Sequence, residues 1–262
     1  MYDKTALIDH LLTLVDLQPS GALLDVGCGD GQMLFAASNV FGSSSFFGID
    51  MMPAPIQRAE SLSRGESRLS FVIHDVDEGL PCPDGAFDYI LCCNVLECIK
   101  RKEYLLREMH RALNAAGKVV ISHFDYDTIV FNVTNRDGYR KLLHAYSDWK
   151  QPWMGECDPW TGRKLWGILN RVPGLFVGEM KSFVLHETEY REGAKGYSFV
   201  KEELRDLVKH GAIAPQEYEA FSADVENAVR NNEFFFSINL YTFVGRKVES
   251  RACGSESTTT SR

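Results

Sequence analysis

Three aspartates, Asp25, Asp50 and Asp75, each stand at the carboxyl end of an apolar run, and the first is followed by the glycine-spaced stretch Gly27-Cys28-Gly29-Asp30-Gly31. Residues without a Cβ allow a sharp turn and let a ligand lie against bare peptide groups at a helix N-terminus. Glycines after a strand also serve plain tight turns, but Asp25 narrows the chemistry. Its carboxylate falls where a dinucleotide would place its pyrophosphate, so the ligand implied is cationic or zwitterionic. Asp50 lies about 20 residues past the glycines, the place from which a carboxylate meets ribose hydroxyls; its alternative role is a helix cap. Carboxyl ends of neighbouring parallel strands open on one crevice, so the three aspartates are expected to converge on one ligand. The exits of two later strands add Cys93 and Asn94, then His123, Asp125 and Tyr126. His123 is the candidate general base, its alternative being a packing or capping histidine.

The elements needed to position these groups alternate strand and helix. Apolar runs predict strands at 22–26, 44–50, 69–73, 87–93, 118–122, 175–186 and 234–244. Helical spacing predicts helices at about 33–40, 53–63, 101–113, 137–149, 200–209 and 215–231. An opening helix, capped by Asp3 and carrying Leu7, Leu11, Leu14 and Val15, stops at Pro19-Ser20-Gly21 and is expected beside the first strand. Alternation of this kind gives an α/β chain with a doubly wound sheet. Residues 1–123 are assigned to the ligand-binding half and 124–160 to a substrate lid. Residues 161–247 complete the sheet around a second helical insertion at about 190–232, and 248–262 read as a disordered polar tail. The lid carries Trp149, Trp153 and Trp160. Trp149 and Trp153, near several carboxylates, are candidate substrate contacts for an aromatic or amine acceptor, while Trp166 is assigned to the core of the cap. With so short an N-terminus, closure of the site is expected from the insertions or from a second subunit.

The chain has 262 residues and a formal net charge of -8. That balance argues against nucleic acid or an anionic membrane surface as partner, since phosphate binding needs clustered Lys and Arg. No apolar run reaches the roughly 20 residues of a membrane span. The seven cysteines are an odd number, and no Cys-x-x-Cys pair occurs, so reduced thiols, a cytoplasmic setting and no metal are expected. Oligomeric state stays open.

The ordered set Leu23-Leu24-Asp25-Val26-Gly27-Cys28-Gly29-Asp30-Gly31, Gly48-Ile49-Asp50, His74-Asp75-Val76-Asp77, 87–97 and 113–122 resembles the class I S-adenosylmethionine-dependent methyltransferases, of the type acting on small molecules. The resemblance implies a Rossmann-like, seven-stranded, mostly parallel sheet with an antiparallel last strand and a helical cap from the insertions. It implies S-adenosyl-L-methionine as cofactor: Asp25, Gly27, Cys28, Gly29 and Gly31 at its methionine end, Asp50 on the ribose, Met51 and Val76 beside the adenine, Asp75 on the adenine amino group, and Cys93 and Asn94 along the methionine moiety. Many relatives have His after the Leu-Glu pair, and Cys98 stands here instead, so that role does not carry over. The implied activity is methyl transfer to N, O or C of a small-molecule acceptor, with His123 as base and Asp125, Tyr126, Trp149 and Trp153 as substrate contacts. Carboxylates with no Lys or Arg nearby are expected around the sulfonium. The competing readings are a cofactor-binding module that recruits a partner without catalysis, a protein or peptide methyltransferase, and a nicotinamide oxidoreductase. The spacing Gly-x-Gly-x-Gly, rather than Gly-x-Gly-x-x-Gly, speaks against the last.

Overall fold

Ala22–Val26 (β1) is an apolar run bounded by turn residues, and its neighbours in the sheet follow from the same pattern. In the computed structural model, which describes residues 3–151 and 154–249, β1 is flanked by Ser45–Asp50 (β2) and Phe87–Cys93 (β4), both parallel to it. Leu69–Ile73 (β3) lies outside β2, and Leu113–Phe131 (β5) outside β4, again parallel. Phe176–Glu187 (β6) and Phe236–Lys247 (β7) complete one seven-stranded sheet in the order β3-β2-β1-β4-β5-β7-β6. β7 runs antiparallel to both β5 and β6. The Rossmann-like sheet with an antiparallel last strand is therefore observed.

The helices are Thr5–Leu12 (α1), Gln32–Val40 (α2), Pro53–Leu62 (α3), Lys102–Ala112 (α4), Arg136–Ser147 (α5), Thr161–Asn170 (α6), Lys195–Ser198 (α7), Leu204–Lys209 (α8) and Pro215–Arg230 (α9). They divide the core in two. On one face α1, α2, α3 and the cap helices bury Leu7, Leu11, Leu34, Ile56, Phe124 and Phe199. On the other, α4 and α6 bury Leu105, Met109, Leu165 and Ile168 against Leu24, Ile90 and Val119. α1 packs on α2 and β6, and its Leu7, Ile8 and Leu11 join the same core cluster as Leu23 of β1.

The largest departure from the sequence reading is β5. Its pairing continues past Ser122, with His123 opposite Tyr241 and Phe124 opposite Leu240, then through an irregularity to Phe131 opposite Phe236. The long apolar partner strand supplies hydrogen-bonding groups that a lid boundary at 123 would leave unused, so residues 124–131 lie in the sheet. Phe131 anchors the cap to this extension, its ring meeting those of Tyr139, Phe199, Phe221, Phe234 and Phe236 at centroid distances of 5.1 to 6.5 Å. Trp166 is 50% exposed on the outer side of α6, so it is not the cap-core residue expected from sequence.

Because Phe131 is the common partner of five rings, Phe131→Ala is expected to destabilise the protein by about 3–5 kcal/mol through the cavity it leaves. Chemical denaturation followed by fluorescence measures this directly.

Candidate functional site

The turn after β1 is set by backbone geometry. Gly27 has φ +74°, and a Cβ there would lie 2.2 Å from Val95 Cγ2; Gly31 has φ +79° and caps the N-terminus of α2. Neither position tolerates a side chain without movement of the backbone or of its neighbours. The loop is held from the second strand: the Gly27 and Cys28 amides donate to Ile49 O at 2.7 and 3.0 Å. Asp50 Oδ2 accepts from Gly29 N at 2.9 Å, and its Oδ1 accepts from Met52 N at 2.8 Å. The carboxylate expected at the ribose thus also joins the two loops that would surround it.

A cavity of about 300 Å³ opens at this edge, lined in part by Asp25, Gly27, Cys28, Cys93, Asn94, Phe124 and Tyr126. Asp25 is buried, and that burial pushes its carboxyl up to about 7, with the Asp50 charge adding to the effect and Lys4 opposing it. Asn94 has φ +56°, and its Oδ1 accepts from Phe124 N at 2.8 Å, which fixes the exit of β4 to that of β5. At the end of β3, Asp75 Oδ1 accepts from Asp77 N at 2.9 Å and caps the turn Val76–Glu78; Val76 is buried, while Met51 is exposed beside Asp50. Asp25 faces the cavity; Asp50 and Asp75 stand at the ends of the next two strands outside its lining.

On the acceptor side the alternation of β5 decides which residues reach the cavity. Phe124 and Tyr126 line it; His123 and Asp125 do not. Asp125 turns to the α6 face, where the Arg163 guanidinium grips both of its oxygens. His123 is fully buried, with Nδ1 2.7 Å from Phe124 O and Nε2 3.8 Å from Glu97 Oε2. With Nδ1 donating to that carbonyl, Nε2 carries the lone pair. Burial lowers the imidazole to about 4 and raises the Glu97 carboxyl to about 8, so both are neutral at pH 7. The Tyr126 hydroxyl donates to Glu97 Oε1 at 3.5 Å.

Two lysines and an N-terminal helix revise the sequence reading. Lys4 and Lys195 line the cavity together with Leu7 and Ile8, so cations are present and α1, not only the insertions, walls the site. Lys195 is buried, its Nζ 2.6 Å from Glu203 Oε1, and Glu203 accepts from the Tyr146 hydroxyl through its other oxygen. Lys195 and Glu203 escaped sequence reasoning, since a Lys-Gly step before a wide π-turn at Phe199–Glu203 carries no periodic signal, and the sequence reading gives neither Glu97, at the exit of β4, nor Tyr146 a role in the site. Trp149 packs on His210, with centroids 5.3 Å apart, and is not among the cavity lining. Trp153 lies outside the described residues. Among the described residues no group of three or more His, Cys, Asp or Glu is placed to hold a metal ion, and no helix is long and apolar enough to cross a membrane.

Sheet order, glycine turn and strand-end carboxylates together define the class I S-adenosylmethionine-dependent methyltransferase fold. Residues 17–170 match the methyltransferase domain family, and the chain belongs to it. Ajmaline N-methyltransferase of Rauvolfia serpentina is 30% identical over 135 residues, 50% of this chain and 46% of that protein. Demethylmenaquinone methyltransferase of Anoxybacillus flavithermus is 28% identical over 145 residues, 54% of this chain and 58% of that protein. The chain thus spans about half the length of the curated relatives it matches. Among solved structures, phosphoethanolamine N-methyltransferase 2 of Haemonchus contortus, in complex with S-adenosyl-L-methionine, superposes with TM-score 0.55 at 16% identity, covering 94% of this chain and 53% of that one. The cyclase SpnF superposes with TM-score 0.57 at 19% identity, covering 94% of this chain and 82% of that one. Since that neighbour is named for a cyclisation, the fold alone does not fix the reaction.

The raised Asp25 carboxyl has a consequence for stability. A carboxyl whose folded pKa lies above its ordinary value of 3.8 holds its proton more tightly when folded, so the protein loses stability as pH rises from about 4 to about 7. Asp25→Asn removes that titration. At pH 8 the variant is expected to gain roughly 1–4 kcal/mol over wild type, and urea denaturation at several pH values would show the wild-type slope flattened.

Proposed function

We propose that the protein transfers the methyl group of S-adenosyl-L-methionine to a nitrogen, oxygen or carbon of a small-molecule acceptor. The observation that carries this reading is the buried Asp25 carboxylate beside a glycine cradle at the edge of a cavity. A buried acid with a raised pKa favours a ligand that brings positive charge, and it disfavours a pyrophosphate. Membership of the methyltransferase domain family supports the same conclusion.

The cofactor, when bound, supplies an electrophilic methyl group on a positively charged sulfur. In this reading Asp25, Gly27, Cys28, Gly29 and Gly31 would hold its amino-acid end, with Cys93 and Asn94 alongside. Asp50 would turn to the ribose hydroxyls, and Met51, Asp75 and Val76 would enclose the adenine. The rest of the work falls to positioning and exclusion of water, effects that supply about 7–11 kcal/mol in favourable cases. Phe124 and Tyr126 form the wall against which an acceptor would lie. Where the acceptor must lose a proton, the Tyr126 hydroxyl is the cavity-facing group. In taking a proton from the acceptor, Tyr126 would give its own to Glu97 Oε1, and Glu97, protonated at pH 7, would release its proton toward the lone pair of His123 Nε2, 3.8 Å from Oε2, so that His123 acts behind Glu97 rather than at the acceptor itself. Trp149 would shape the cap from a distance. Enclosure by α1 and the cap helices favours a small acceptor over a protein or nucleic acid, which would need an open face. The six free cysteines among the described residues fit a reducing, cytoplasmic setting.

Calorimetric titration with S-adenosylmethionine, S-adenosylhomocysteine and NAD tests the reading. Micromolar binding of the two sulfur nucleosides alone is expected, weakened at least about tenfold in Asp50→Ala through loss of the ribose contact and of the Gly29 tether, roughly 1.4 kcal/mol or more. Binding of NAD alone would overturn the proposal.

A further inference from the structure

The sheet ends on β6, and that edge is long and open. Twelve residues, Phe176–Glu187, pair with β7 on one side only. Val177 and Val184 are 47% and 50% exposed on its two faces. Unblunted edges of this length present a row of backbone donors and acceptors ready for another strand.

The residue order along the strand says which strand fits. In an antiparallel pair, residues directly opposite one another share a face and interact. If β6 meets its own copy about a two-fold axis at Met180, Glu179 falls opposite Lys181 of the second copy, and Lys181 opposite Glu179, which sets two ion pairs either side of the axis. Val177 then falls opposite Phe183 and Phe176 opposite Val184, one apolar pair on each face, with Gly178 opposite the small Ser182 between them. Within a single copy Glu179 and Lys181 lie side by side, Nζ to Oε1 3.0 Å, on the exposed strand surface. Moving the axis by one residue sets Glu179 against Glu179 or Lys181 against Lys181, so the charges select one register.

We propose that the protein forms a two-fold dimer through antiparallel β6–β6 pairing centred on Met180, making one continuous fourteen-stranded sheet from two seven-stranded ones. The occupant of the edge is a second copy because the strand is complementary to itself in both charge and apolar pattern. The interface lies beyond β7 from the glycine turn, leaving the cavity residues of each copy outside the pairing.

Sedimentation velocity over a micromolar concentration series tests this through a charge exchange. Wild type is expected to be dimeric. Glu179→Lys and Lys181→Glu, each placing like charges opposite one another twice, are expected to weaken the dimer by about tenfold or more. The double variant Glu179→Lys/Lys181→Glu is expected to restore it. All three alter exposed side chains, and unchanged circular dichroism and thermal midpoint verify that the subunit stays folded. A wild type that remains monomeric throughout the series overturns the proposal. So does a dimer indifferent to both single reversals, or one that the double exchange fails to restore.

Discussion

The turn between β1 and α2 is the constraint on which the rest of the site depends. Its path requires positive φ at Gly27 and Gly31, and the space beside Gly27 is already filled by Val95 from the exit of β4. The loop therefore cannot move without disturbing two strands at once. Hydrogen bonds from Gly27, Cys28 and Gly29 to the end of β2 add a third. A loop tied to three adjacent strands presents its peptide groups in one arrangement, as preorganised binding requires. The buried Asp25 sits there with its carboxyl raised to about 7 by desolvation, so a large share of it is neutral near pH 7.

Charge in the cavity is arranged in pairs rather than as the one-signed ring of carboxylates that a sulfonium alone would call for. Lys4 moderates Asp25 on the cofactor side. On the acceptor side Lys195 is bound to Glu203 and bears on Glu97, whose carboxyl is neutral at pH 7. A buried ammonium without such a partner would carry a penalty of several kcal/mol. The wall formed by Phe124, Tyr126 and Lys195 thus carries its one cation already paired with Glu203, and in the proposed reading an acceptor would meet the Tyr126 hydroxyl and ring faces there.

What was legible in the sequence follows from how local each feature is. The glycine turn and the strand-end aspartates occupy short runs whose residue types are forced by backbone conformation and burial, so the strand positions and the turn after β1 could be read directly. The reading of His123 and Asp125 failed to foresee their orientation for one reason: the fifth strand continues to Phe131 along β7. In a loop both side chains could turn to the cavity; in a strand, alternation sends them to the α6 face and gives the cavity Phe124 and Tyr126 instead. The pairing that extends the strand joins residues more than a hundred positions apart, which no local pattern reports. Lys195 was hidden likewise, since its partner Glu203 lies across a π-turn that breaks helical spacing.

The two halves of the site therefore differ in how freely they can change. Cofactor-side positions are fixed by φ values, by a Cβ-sized gap and by amides already committed to Ile49 and Asp50. Acceptor-side positions sit on the far end of β5 and on cap segments joined to the sheet chiefly through the ring cluster around Phe131. Apolar ring packing fixes volume but tolerates exchange of shape, so helices resting on it can shift by a side chain without unfolding the sheet. The family match, which stops at residue 170, takes in the far end of β5, α5 and α6 but not the later cap helices. Lys195, Glu203 and the whole of α7 to α9 lie beyond it, so in the proposed reading the acceptor side would combine Phe124 and Tyr126 from inside the family match with Lys195 from outside it.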